Sequence, residues 1–100
     1  MKTLDIQAKE WFDGINGNSY FSARVTVDFG LDTVEEFKLP YQYGYGEMYL
    51  QMTLELLTRE GFIPTCPMMA LWSWCRDNGV ILRTNKEEGC LKRDMKAWGE

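Results

Sequence analysis

The sequence predicts a single α+β domain: a small antiparallel sheet built on a central hairpin, with two to three helices packed on one face. Three observations lead there. Residues 20–29, "YFSARVTVDF", and 34–43, "VEEFKLPYQY", both alternate apolar with polar side chains, the period of a half-buried strand. Only the turn-forming "GLDT" separates them, so they pair as a hairpin with one covered face. Residues 47–60, "EMYLQMTLELLTRE", set Leu50, Leu54 and Leu57 at helical spacing, which supplies a helix to cover that face.

The elements follow in order. Residues 5–15, "DIQAKEWFDGI", fit two periods. Leu4, Ile6 and Ala8 alternate like a strand, whereas Leu4, Ala8, Trp11, Phe12 and Ile15 form a longer helical stripe with the bulkier residues, so a short helix capped by Asp5 and ended by Gly14 is expected. "NGNS" at 16–19 is turn chemistry, since Asn and Gly tolerate positive φ. In the first hairpin strand Phe21, Ala23, Val25, Val27 and Phe29 face one way. In the second, Phe37, Leu39, Tyr41 and Tyr43 do the same, with Pro40 marking an edge because it cannot donate to a ladder. The helix over 47–60 stops at Gly61. A third helix starts at Pro67 and runs through "PMMALWSWCRDNG", with Leu71, Trp74 and Cys75 inward and Asn78-Gly79 as its terminator. "VILRT" at 80–84 is a short strand, and 86–89 could turn it back into "CLKRDMKAW", for which helix is the alternative.

Composition narrows the function. At 100 residues, with 45% apolar and 26% charged side chains, the chain is ordinary for one globular domain. No apolar run approaches the ~20 residues of a membrane span, and Asp5 interrupts any secretory apolar stretch; a cytoplasmic protein is expected. Histidine is absent, which removes the commonest general base, zinc ligand and nucleophile partner. No catalytic, cofactor or metal site is expected, and the chain reads as a non-enzyme. Cys66, Cys75 and Cys90 form no paired motif and read as free thiols.

Two charge features bear on partners. Residues 1–65 carry five Lys/Arg against ten Asp/Glu. Asp28, Asp32, Glu35 and Glu36 crowd the hairpin turn and make an acidic patch suited to lysines and arginines of a partner protein. "RTNKEEGCLKRDMK", 83–96, holds five of the eleven basic residues, but Glu87, Glu88 and Asp94 dilute it, so direct nucleic-acid binding is the weaker reading. Trp72 and Trp74 straddle one helix. With Trp74 inward, Trp72 is either an exposed contact residue or the cover of a second small core. In "YQYGYGEMY" at 41–49, Tyr41 and Tyr43 share a side with Phe37 and Leu39 and are expected to face the core, with Gly44 and Gly46 freeing the backbone to turn.

"AKEWFDGINGNSYFSARVTVD" at 8–28 and "LPYQYGYGEMYLQMTLELL" at 39–57 resemble small accessory proteins of tailed phages and prophages. In these a WF-containing helix leads into a GN-[ST]-Y-x-S strand and a YGYG turn opens a helix. The resemblance implies a phage accessory protein of the kind that inhibits host defence, anti-CRISPR proteins among them. The expected function is therefore binding and inhibition of a host protein complex, such as a CRISPR effector, in the host cytoplasm, with Asp28, Asp32, Glu35, Glu36 and Trp72 as contacts. The alternative is a nucleic-acid-binding accessory protein of double-stranded-RNA-binding-like or winged architecture, using the basic C-terminal strip.

Overall fold

The computed structural model describes residues 1–64 and 70–90. Among these residues six elements follow in chain order: β1 (Thr3–Asp13), β2 (Asn18–Val27), β3 (Glu35–Tyr43), α1 (Met48–Arg59), α2 (Leu71–Asp77) and β4 (Ile81–Glu87). The strands form one sheet in the order β3-β2-β1-β4. β2 and β3 pair antiparallel, as the hairpin pattern predicts; β1 also pairs antiparallel with β2, while β4 lies parallel to β1 and makes the sheet mixed. The segment containing α1 and α2 is the crossover that a parallel return requires.

The first element corrects the expected helix. Residues 3–13 are a central strand, hydrogen-bonded to β2 on one side and β4 on the other. Leu4, Ile6 and Ala8 are fully buried and register with Val27, Val25 and Ala23, whereas Phe12 and Ile15, the outer members of the helical stripe, are exposed. Burial of the period-2 set against two neighbouring strands outweighs a local pattern, because strand preference is set by cross-strand packing. The expected 80–84 strand is also longer, and Leu82 lies beside Leu4.

One face of the sheet carries the core. Leu4, Ile6, Ala8, Phe21, Ala23, Val25, Val27 and Leu39 pack with Tyr49, Leu54, Leu56 and Leu57 of α1 and Leu71 and Cys75 of α2. Phe37, Leu50 and Trp74 pack against this cluster half-buried. Thr53 is the buried polar residue of α1, and its hydroxyl donates to the Tyr49 carbonyl at 2.7 Å. α1 ends as its sequence predicts: the chain turns at Gly61, φ 86°, and the Phe62 N–H returns to the Leu57 carbonyl at 2.9 Å. The expected start of the third helix at Pro67 and the tail beyond Cys90 lie outside the described residues.

Candidate functional site

Among the described residues, no helix covers the second face of the sheet. Along β1 the residues between the buried positions, Asp5, Gln7, Lys9 and Trp11, point to it, as do Tyr20, Arg24 and Thr26 of β2. β3 contributes more than its alternation predicts. Phe21 registers with Gln42 and Ala23 with Leu39, so three steps on β3 match two on β2. The extra residue is a β-bulge beside Pro40, and it reverses which way the strand end faces. Tyr43 therefore registers with outward Tyr20, and Tyr41 stacks on the Tyr20 ring at 5.2 Å and 8°. This corrects the expectation that Tyr41 and Tyr43 face the core.

The result is an aromatic ridge. Trp11 meets Tyr20 at 5.6 Å, Tyr43 meets Tyr20 edge-on at 5.8 Å, and Tyr45 continues the path from Tyr43 at 6.5 Å. Crowding raises the Tyr41 phenol above its ordinary pKa, first by burial and then through Tyr20 and Asp13. Beside the ridge the open face sinks into a hollow of ≈470 Å³, lined among others by Asp5, Arg24, Thr26, Phe29, Glu36 and Arg83. Arg83 is tied to Asp5, with Nε–Oδ1 2.7 Å and Nη2–Oδ2 3.0 Å.

The acidic hairpin divides into an anchor and a tip. Asp28 is only 7% exposed and sits at φ 56°, a left-handed conformation that Asp tolerates better than most residues. Its carboxylate accepts the Lys2 and Thr3 N–H groups and the Thr33 hydroxyl. The Lys2 amide above all, then the Thr3 amide and Thr33 hydroxyl, hold its pKa below the ordinary carboxylate value against the opposing effect of burial. Asp28 thus fastens the hairpin base to the N-terminal end of β1 and, unlike the other carboxylates of the expected partner patch, is buried. The break also turns Phe29 out of the core, where alternation places it, leaving it 65% exposed over the hollow. Asp32, Glu35 and Glu36 are exposed, as are Leu31 and Val34 between them. Local sequence does not mark Asp28 as the anchor, because its two backbone donors, Lys2 and Thr3, lie more than twenty residues away.

Trp72 stands apart from this surface on α2. It is 55% exposed, with the Arg76 guanidinium 5.2 Å from its ring centroid. The basic residues of the described C-terminal part are engaged: Arg83 with Asp5, and Lys86 with Glu10 at 3.7 Å, Glu88 at 3.4 Å and the Gly46 carbonyl at 3.1 Å. Among the described residues, no three His, Cys, Asp or Glu side chains converge as a metal site would need, and no helix is long and apolar enough to cross a membrane. Cys75 is buried, which raises its thiol pKa, and Cys90 is half-buried; Cys66 lies outside the described residues.

No family model, curated protein or solved structure matches the chain.

Proposed function

We propose that the chain is a non-enzymatic binding protein that inhibits a host protein complex by docking its β2–β3 hairpin tip against a basic surface of that complex. The observation that supports the reading is the tip itself: exposed Leu31 and Val34 interleaved with the exposed carboxylates of Asp32, Glu35 and Glu36. Apolar side chains on a soluble surface mark contact sites, and a ring of like charge steers encounter and fixes orientation. The Asp28 anchor holds the tip on a rigid base, so little ordering entropy is lost on docking. The setting, a phage accessory protein acting on a host-defence complex such as a CRISPR effector, draws on the resemblance of residues 8–28 and 39–57.

The test is association kinetics against a partner captured from host lysate and then purified. The Asp32→Lys, Glu35→Lys double variant is expected to associate more slowly and with a shallower salt dependence, its melting temperature unchanged. Association as fast as wild type at every salt concentration sinks the reading. The outward ridge supports a second reading, binding of single-stranded nucleic acid by base stacking on the tyrosines. A gel shift with a single-stranded oligonucleotide at low salt separates the two.

A further inference from the structure

The two edges of the sheet are unlike. β3, at one edge, is blunted: Pro40 carries no N–H, and the bulge beside it breaks the ladder. β4, at the other, has neither device. Its residues keep one unbroken parallel register with β1, from Thr3↔Ile81 to Lys9↔Glu87. The Ile81 N–H donates to the Lys2 carbonyl at 3.0 Å. Main-chain groups alternate in direction along a strand, so Ile81, Arg83 and Asn85 turn theirs to β1, whereas Leu82, Thr84 and Lys86 turn theirs outward. Among the described residues no strand lies on that outer side. The chain has not folded back over it by Cys90, whose N–H still donates to the Glu10 carbonyl of β1. Thr84 registers with buried Ile6, on the helix side of the sheet, yet is exposed, so α1 and α2 leave the edge open there.

We propose that this edge pairs with a second copy of itself, β4 beside β4 and antiparallel, about a two-fold axis perpendicular to the sheet, so that two sheets join into one. The residues of the edge choose the register. Centred on Asn85, the pairing sets Arg83 of each copy opposite Glu87 of the other, twice, on the face away from the helices. Thr84 then faces Lys86, and the outward N–H and C=O groups of these two exchange both main-chain bonds. The Arg83–Glu87 pairs fall at the other kind of position, where facing Cα atoms are about 4.5 Å apart and side chains meet most closely. The two Asn85 amides face each other across the axis, each both donor and acceptor. Moving the centre to Thr84 sets Arg83 opposite Asn85 and Glu87 opposite Ile81, and both charge pairs are lost. Asp5 holds Nε and Nη2 of Arg83, at 2.7 and 3.0 Å, which leaves Nη1 of the guanidinium for a second carboxylate. Glu87 is exposed, and among the described residues no cation is paired with its carboxylate. An isologous interface requires self-complementarity of this kind. Seven residues at about 3.3 Å each make a seam of roughly 23 Å, short enough for the dimer to be reversible.

The proposal goes beyond the hairpin reading and does not depend on it. The β2–β3 tip lies towards the opposite edge from β4, so the dimer carries its two acidic tips on its two far sides.

Sedimentation over a concentration series tests the seam. Wild type is expected to show a reversible monomer–dimer equilibrium. Glu87→Arg and Arg83→Glu are each expected to be folded monomers, because each sets like charges opposite. An equimolar mixture of the two is expected to regain the dimer, since each variant supplies the sign the other lacks. Thr84→Pro removes an outward N–H without costing a bond to β1, and is expected to be a folded monomer as well. Hydrogen exchange reads the register: with rising protein concentration the Thr84 and Lys86 amides are expected to slow, and those of Arg83 and Asn85 to stay as they are. The Asp32→Lys, Glu35→Lys double variant is expected to dimerise like wild type whatever its association with a host complex, which keeps the two readings apart. A wild-type chain monomeric up to about 1 mM overturns the proposal. Dimerisation of Thr84→Pro or Glu87→Arg at wild-type strength overturns it too, as does a mixture that stays monomeric while both its variants melt like Thr84→Pro.

Discussion

At the scale of single residues, Asp28 and Gly44 do the most with the least chain. Removing the Asp28 carboxylate leaves two part-buried amides and a hydroxyl short of an acceptor, each a cost of roughly 1 kcal/mol. Asp28→Ala is therefore expected to lose about 2–4 kcal/mol in urea unfolding, and Asp28→Asn less, since Asn keeps one acceptor oxygen and tolerates the positive φ. The lowered pKa has a direction in pH. Its stabilisation is complete above the unfolded carboxylate value near 4 and fades as pH falls through the folded value. Asp28→Asn should flatten that acid limb; an unchanged limb would show that other carboxylates govern it. Gly44 is buried, and a Cβ there would sit 2.4 Å from Phe21 Cε1 and 2.7 Å from Cδ1. Since Phe21 is itself in the core, Gly44→Ala is expected to cost about 1–3 kcal/mol, measured as a lowered denaturation midpoint.

At the scale of elements, alternation was readable where one strand face meets the core. Phe21, Val25, Val27, Phe37 and Leu39 gather with Leu50, Leu54 and Leu57 as their spacing predicts. Local pattern failed where the decisive partner is distant. β1 is held as a strand by β2 and β4, and neither neighbour is visible from residues 3–13 alone. The bulge is similar: Pro40 announces an edge, but the extra residue that turns Tyr41 and Tyr43 outward emerges only from the register with β2. Ile6, at the centre of β1 and almost fully buried, gives the test of β1 as core. Ile6→Ala is expected to cost about 2–5 kcal/mol, whereas Gln7→Ala on the open face should fall within about 0.5 kcal/mol. Equal effects would remove the assignment of faces.

For the whole molecule, the acidic and alkaline limits of stability should lie in different places on the fold. Tyr41 has its pKa raised by burial and by its neighbours, so its stabilisation is complete below the ordinary phenol value near 10 and lost as pH climbs above it. Tyr41→Phe should delay alkaline unfolding while leaving the acid limb untouched; an unshifted alkaline limb would relieve Tyr41 of that role. The thiols separate global from local opening. Cys75 is enclosed by the core and its thiol pKa is raised, whereas Cys90 sits half-buried just past β4 with its Sγ 3.4 Å from the Glu87 carbonyl. Mass-resolved alkylation is expected to modify Cys90 at rates set by local motion and Cys75 only on global unfolding. Comparable rates would mean that α2 opens independently of the sheet.

The parallel seat of β4 against β1 has a consequence in time. Leu4 finds Leu82 as its neighbour, so β1 waits for residues 81–87 before its second edge is paired. Synthesis at about 5–20 residues per second takes roughly 3–12 s to travel the 60 residues from Val27 to Glu87. During that interval the β1–β2–β3 meander can already have formed from local contacts, while residues 3–9 present open N–H and C=O groups to any passing strand. The nascent chain is thus open to strand-to-strand association along residues 3–9 until β4 is made and seated beside them.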